Sequence, residues 1–188
     1  MILIFQTSFS HLSETILSMK LIGSFDDFLI SPISRVEIFI SFIISSIIIC
    51  IFVCFINLIV ISLFTEFFII NYFSLLYYLI ISILIFSSIG ALTGYLAFTW
   101  DFKSSISDFF ILPISFLSGT FFPIDSLDKN WQFIFSYNPF YYLVSGFRGS
   151  FIKEFEITVY GDVYIAITFF FIFIISTYIF KIGYKVIN

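Results

Sequence analysis

Two long stretches of this 188-residue chain contain no charged residue. The first lies between Glu37 and Glu66, and the second lies between Glu66 and Asp101. Because a helix needs about 20 apolar residues to cross about 30 Å of hydrocarbon, each stretch is long enough for one span. The sequence therefore predicts an all-α polytopic membrane protein.

Composition excludes the other broad classes of protein. Only 11% of the residues are charged and 61% are hydrophobic, whereas a soluble domain usually carries about 25% charged residues. The same apolar content argues against a disordered chain. The net charge of −4 and the absence of any Lys/Arg run argue against a nucleic-acid partner.

We predict one transmembrane domain over residues 1–188. Its complete spans are predicted at residues 38–65, 72–100, 103–124 and 163–180. The third is expected to be irregular, because only 16 uncharged residues separate Asp108 from Asp125. Residues 1–11 are interpreted as the remnant of a span, residues 12–37 as a cytosolic loop, and residues 125–158 as short helices at the outer face.

The distribution of Lys and Arg weakly favours a cytoplasmic C-terminus for this multi-pass protein. The basic residues of the predicted inner segments are Lys20, Arg35, Lys103, Lys181 and Lys185. Those of the predicted outer segments are Lys129, Arg148 and Lys153.

The predicted inner loop contains the signals of a short helix. Gly23 can end a helix, Ser24 or Asp26 can cap a new one, and Pro32 can stop it. Ser34 then stands three residues before Glu37, the spacing of a capping box that starts the next span. Two interpretations remain open: a reverse turn that lies on the lipid headgroups, or a short helix presented to a cytosolic partner.

A stripe of small residues runs along the second predicted span. Its centre is the G-x-x-x-G pair Gly90 and Gly94, flanked by Ser87 and Ala97. Such a stripe lets another helix approach closely. The pattern therefore predicts helix packing, with the neighbour either in this chain or in a second copy.

The segment after the third span combines breaks with caps. Gly119 and Pro123 interrupt that span, and Asp125 or Ser126 can cap a helix of about ten residues that reaches Tyr137. Neither this helix nor the one after it is long enough to cross a bilayer. We therefore expect broken backbone that is buried in protein or lines a cavity.

The next signal is an N-cap pair, Asn138 and Pro139, at the start of a helix of about fourteen residues. Arg148 falls within this aromatic, apolar stretch and needs a counter-charge, a phosphate headgroup or water. Two roles stay open for Arg148: it reaches the headgroups, or it lies at the mouth of a pathway.

The sequence lacks the motifs of the common enzyme sites. It contains no Walker A loop, no G-x-S-x-G and no H-E-x-x-H. Cys50 and Cys54 are interpreted as small buried hydrophobes, and His11 has no neighbouring ligands with which to hold a metal. We therefore predict no enzyme activity, no cofactor and no metal.

Three ordered motifs give the chain a resemblance to the ABC-2 family of ATP-binding-cassette permeases. They are S-P-I-S at Ser31–Ser34, L-S-G-T-F-F-P at Leu117–Pro123, and N-P-F-Y-Y-L-V-x-G-F-R at Asn138–Arg148. The resemblance implies a six-span subunit that pairs with a second permease protomer and two cytosolic ATPase subunits. It also implies export of a large or amphipathic substrate, such as a polysaccharide, a lipid-linked polymer or a drug.

The resemblance also implies roles for two sets of residues. The expected contact with the ATPase comprises Gly23, Phe25, Asp27, Phe28, Ser31, Pro32, Arg35 and Glu37. The expected outer gate comprises Gly119, Phe122, Pro123, Trp131, Asn138, Pro139, Tyr141 and Arg148. The chain departs from the family at its front, where only about ten apolar residues precede the loop. A fragment, a late start codon or a shortened form would each explain this.

Two other function classes remain as alternatives. A membrane-embedded transferase would need polar groups that converge at one bilayer depth, and the sequence shows none. A passive or channel-like membrane subunit, or a truncated remnant without activity, would need no such groups.

Overall fold

The computed structural model describes residues 1–66, 68–121, 128–152 and 159–182. Within these ranges the regular structure is helical, with no strand, which confirms the all-α prediction. The long helices are α1 (Ile2–Ile22), α3 (Arg35–Ser62), α4 (Tyr72–Leu96) and α9 (Val159–Ile182). The short separate helices are α2 (Phe25–Ile30), α7 (Lys129–Ser136) and α8 (Pro139–Gly149).

Three of the described helices, α3, α4 and α9, are long and apolar enough to cross a membrane. The sequence predicts four complete spans, and the difference lies in the irregular third one. Asn71 begins α4, where its side chain accepts hydrogen bonds from the backbone N–H groups of Phe73 and Ser74 (3.1 and 3.2 Å).

The first helix is longer than the predicted ten-residue remnant. It continues through residue 12 to Ile22, so the connection to α3 begins at Gly23 and not at residue 12. Polar residues inside α1 find partners on other helices: His11 Nε2 lies 3.0 Å from Ser45 Oγ, and Glu14 binds Lys103. Because His11 and Glu14 have partners within the bundle, α1 continues past them, although the sequence predicts that the apolar segment ends at residue 11.

The third predicted span is a helix broken by π turns, which we call the broken helix (residues 100–120). Its parts are α5 (Trp100–Ile106), a π turn (Ser107–Ile111), α6 (Leu112–Ser115) and a second π turn (Phe116–Thr120). Pro113 has no backbone N–H with which to continue α-helical hydrogen bonding, a common cause of such irregularity. Gly119 adopts a left-handed conformation with φ of 75°, which favours glycine.

Helices α1 and α4 form the centre of the bundle. A Cβ at Gly94 would lie 2.7 Å from the backbone oxygen of Ser13, and one at Gly90 would collide with the backbone oxygen of Phe9. The close neighbour that the G-x-x-x-G pair predicts is therefore α1 of the same chain. Phe5 of α1 stacks on Phe86 of α4 with ring centroids 4.2 Å apart.

The bundle has two ends, at which different helices begin and finish. At the α2 end, α1, α4 and α9 finish and α3 begins, as the contact of Lys20 with Ala97 and that of Arg35 with Lys181 show. At the α8 end, α4 and α9 begin, and the hydroxyl of Tyr78 donates to Asp162 Oδ1 at 2.6 Å. The short helix α8 packs there on α4 and on the end of the broken helix.

Candidate functional site

The connection between α1 and α3 is built as a hinge, a six-residue helix and a second turn. Gly23 adopts φ of 85°, a left-handed conformation that closes α1. Ser24 occupies the N-cap position of α2 without a side-chain capping bond. Asp27 and Pro32 are exposed, whereas Phe25 is buried. The side chains of Asp26 and Phe28 lie outside the described part of the structure.

A capping box starts α3, as predicted. The Ser34 hydroxyl accepts a hydrogen bond from the backbone N–H of Glu37, whose carboxylate accepts one from the Ser34 N–H at 2.9 Å. This second bond lowers the pKa of Glu37 below its usual value, because it stabilises the ionised form. The box fixes the direction in which the chain leaves the turn at Ser31 and enters α3.

Two cations join the helix ends around α2. Lys20 Nζ donates to the carbonyl oxygens of Tyr95 and Ala97, at 2.5 and 2.7 Å, and so ties the end of α1 to the end of α4. Arg35 donates to the carbonyl oxygen of Lys181 at 2.9 Å, which ties the start of α3 to the end of α9. Both contacts are favourable, because a helix C-terminus carries unpaired carbonyl groups and attracts cations. We call these two contacts the clamps.

A third cation at this end belongs to the broken helix. The side chain of Lys103 is largely buried and forms an ion pair with Glu14 of α1 at 2.6 Å. The backbone N–H of Phe102, one residue earlier, donates to the hydroxyl of Thr99, which caps α5. Polar contacts at the α2 end therefore join α1 to α4, α1 to the broken helix, and α3 to α9.

At the α8 end, Asn138 performs two tasks. Its Oδ1 accepts from the backbone N–H of Phe140 at 3.0 Å and caps α8, in which Pro139 occupies the first turn as predicted. Its Nδ2 donates to the carbonyl oxygen of Leu117 at 3.1 Å. Asn138 thus supplies a donor to a carbonyl in the second π turn of the broken helix.

Arg148 contacts the same broken helix from the other end of α8. It donates to the carbonyl oxygen of Thr120 at 2.5 Å. The hydroxyl of Ser118 donates to the carbonyl oxygen of Ser115 at 2.6 Å. Side chains of this chain therefore donate to the carbonyls of Ser115, Leu117 and Thr120, as is favourable for irregular backbone in a membrane.

The remaining predicted gate residues are spread over α7, α8 and the end of the broken helix. Trp131 on α7 is exposed, and Tyr141 on α8 is half-buried with its ring 5.3 Å from that of Tyr142. Phe122 and Pro123 lie outside the described residues. The structure thus places Asn138 and Arg148 against the end of the broken helix that contains Gly119, and Trp131 is exposed on the neighbouring α7.

Several contacts were not predicted from the sequence. Gly146 is one, because a Cβ there would enter the ring of Tyr78, so glycine lets α8 lie directly on α4. The contacts of Lys20 with the end of α4 and of Lys103 with Glu14 are others, because the sequence indicates only that both residues carry positive charge. The partners of the two lysines lie 75 to 89 residues away along the chain. No local spacing in the sequence could therefore predict these two contacts.

The chain belongs to the ABC-2 type transporter family, which it matches over residues 1–152. Among curated proteins it is similar to the inner membrane transport permease YadH of Escherichia coli strains K12 and O157:H7 and of Shigella flexneri. Identity is 35% over 74 residues, which cover 39% of this chain and 29% of each relative. The matched segment thus spans less than a third of these relatives. No solved structure matches the chain significantly.

Proposed function

We propose that this chain is a transmembrane permease subunit of an ABC exporter and that a separate cytosolic subunit hydrolyses the ATP. The observation that carries this proposal is the family match over residues 1–152, which includes both candidate sites. The curated relatives are named as inner membrane transport permeases, which supports a place in the cytoplasmic membrane.

The α2 end is the proposed docking surface for the ATPase, in the cytoplasm, where the C-terminus also lies. Helix α2 presents Asp27 and Ile30 outward, and the turn after it presents Pro32. The clamps of Lys20 and Arg35 hold the helix ends around it. A partner that pushes α2 therefore meets a surface backed by ordered helix ends.

The α8 end is the proposed outer gate. The broken helix ends there at Gly119, and donors on α8 hold its carbonyls. A helix held by a few side-chain hydrogen bonds needs less free energy to move than a continuous span does. Closure of two ATPase subunits would rock the spans against a second permease protomer and release these contacts, so that a large or amphipathic substrate leaves.

Co-purification tests this proposal. The chain is co-expressed with a candidate cytosolic ABC ATPase subunit from the same organism, and the bound ATPase and its turnover are measured. Asp27→Asn and Pro32→Ala are expected to lower ATPase capture and turnover. Asp128→Asn, which changes an exposed carboxylate at the α8 end, is the matched control and should change neither. Unaltered turnover in both α2 variants, or no ATPase captured by the wild type, contradicts the proposal.

A further inference from the structure

Among the described side chains of α2, Phe25 is the one that is buried against the bundle. Of the three α2 side chains that the structure describes, Phe25 is 2% exposed, Ile30 is 83% exposed, and Asp27 is also exposed. The outer surface of α2 and its attachment to the bundle therefore use different residues, and each can be changed separately.

The ring of Phe25 lies against two rings on different helices. Its centroid is 6.2 Å from that of Tyr95 on α4 and 6.0 Å from that of Phe180 on α9, both in edge-to-face geometry. Tyr95 and Phe180 are themselves 5.2 Å apart. Phe25 thus contacts α4 and α9 where both helices end.

Phe180 extends this contact to α3. Its ring lies 5.5 Å from that of Phe39 and 6.4 Å from that of Phe42. The cluster formed by Phe25, Phe39, Phe42, Tyr95 and Phe180, which we call the aromatic cluster, is buried throughout. Close-packed rings transmit displacement, because a gap between them forfeits contact energy.

Non-helical backbone lies on both sides of α2. The left-handed Gly23 precedes it, and the non-helical turn of Ser31–Ser34 follows it. Beyond these turns the clamps of Lys20 and Arg35 fix the ends of the long helices. A push on α2 therefore reaches α4 and α9 through the Phe25 ring more directly than through the backbone.

We propose that Phe25 is the positioning residue that passes movement of α2 to the ends of α4 and α9, through Tyr95 and Phe180. This inference rests on the proposed function, since it assumes an ATPase that moves α2. It adds a division of labour within that site: Asp27 and Ile30 bind the partner, whereas Phe25 transmits the displacement.

The test measures partner capture and helix movement separately. Spin labels are placed at two exposed positions of the α2 end, Phe98→Cys two residues after α4 and Ile182→Cys at the end of α9, with Cys50 and Cys54 replaced by alanine. The distance between the labels is measured in the complex of the full chain with its ATPase, before and after trapping with ATP and vanadate. The parent protein is expected to capture the ATPase and to show a change in label distance on trapping.

Phe25→Ala is expected to retain at least half of the captured ATPase and to reduce the distance change at least fivefold. Phe25→Leu, which keeps apolar bulk, should retain at least half of that change. Ile30→Ala, the matched control on the same helix, should instead weaken capture. If Phe25→Ala does not fold, Phe25→Val takes its place, with at least a threefold reduction expected.

The outcomes separate two kinds of failure. Absence of ATPase from the parent complex overturns the proposed function and with it this inference. Normal capture with an unchanged label distance in the parent protein, or with a full distance change in Phe25→Ala, overturns the inference alone. Loss of capture in Phe25→Ala also overturns it, because Phe25 would then serve docking and not transmission.

Discussion

At both ends of the bundle, side-chain donors bind backbone carbonyl oxygens, but the carbonyls belong to different kinds of helix. At the α2 end, Lys20 and Arg35 donate to carbonyls at the ends of α4 and α9. At the α8 end, Asn138 and Arg148 donate to carbonyls of the broken helix. The first pair satisfies carbonyls that every helix leaves open, whereas the second pair supports a helix that has lost its regular bonding.

This difference predicts how far a disruption at each end spreads through the bundle. The clamps join long helices that are each continuous, so they hold the ends of these helices next to the short helix α2. We call this set of joined helix ends the frame. The contacts of Asn138 and Arg148 support irregular backbone that begins at the π turn after Ser115, so their loss would free that segment. The comparison therefore predicts that disruption at the α2 end loosens whole helices and that disruption at the α8 end stays local.

The largest effect is expected from a change at the contact between α1 and α4, which form the centre of the bundle. Gly90→Val would force a side chain into the backbone of Phe9, which cannot rotate away. Overpacking of this kind should cost about 3 kcal/mol of stability, measured as the thermal unfolding midpoint in detergent. Leu76→Ala, at an exposed position on the same helix, is the control. Equal midpoints for the two variants would show that α1 and α4 are not closely packed.

Removal of one clamp is expected to have the next largest effect. Lys20→Met keeps the apolar stem of the side chain but leaves the carbonyls of Tyr95 and Ala97 without this donor. Charged hydrogen bonds contribute about 2 kcal/mol, so the unfolding midpoint should fall and protease cleavage between residues 23 and 34 should accelerate. Lys20→Arg retains donors and should lie closer to wild type. Unchanged cleavage in Lys20→Met would argue against a frame at the α2 end.

A smaller and local effect is expected at the α8 end. Asn138→Asp keeps the oxygen that caps α8 but removes the amide donor to Leu117. The loss should be about 1 kcal/mol, with faster hydrogen exchange confined to residues 116–121. Asn138→Ala removes the cap as well and should cost about 1 kcal/mol more. Exchange that spreads into α4 would contradict the proposed local character of this end.

The smallest effect concerns the exposed capping box at the start of α3. Because hydrogen bonding to the Ser34 N–H lowers the pKa of Glu37, the box contributes stability above the pKa of an unfolded glutamate, about 4.3. This contribution is lost as the pH falls through the lower folded pKa. Glu37→Gln should therefore flatten the acid limb of a stability curve slightly, measured in detergent between pH 3 and pH 7. An identical acid limb in the variant would show that the box contributes nothing.

Local signals in the sequence predicted several elements correctly. The capping box of Ser34 and Glu37, the helix end at Gly23 and the cap of Asn138 before Pro139 all occur in the structure. Each depends on residues within about four positions, so the residue types suffice to predict it. The extent of α1 was predicted less well, because His11 and Glu14 look like the polar end of a span until their partners on other helices are known.

The proposed roles of the candidate sites stay predictions, although the structure defines their geometry. No local pattern connects Phe25 with Tyr95 and Phe180, which lie far apart along the chain and meet only after α4 and α9 have packed. Likewise, Arg148 is expected to need a counter-charge, a phosphate headgroup or water, and no local pattern predicts that it also donates to the carbonyl oxygen of Thr120.

The amino-acid sequence by itself determined that the chain is helical and apolar enough for a membrane, and it determined several helix boundaries, such as the capping box that starts α3 and the cap of α8. These properties follow from side-chain transfer energies and from hydrogen bonds within one or two turns. Only the tertiary structure decided which helix fills the groove at Gly90, which carbonyls the side chains of Lys20, Arg35 and Arg148 bind, and where the Phe25 ring lies. Those outcomes depend on contacts between distant segments, whose free energy exists only when the helices are packed together.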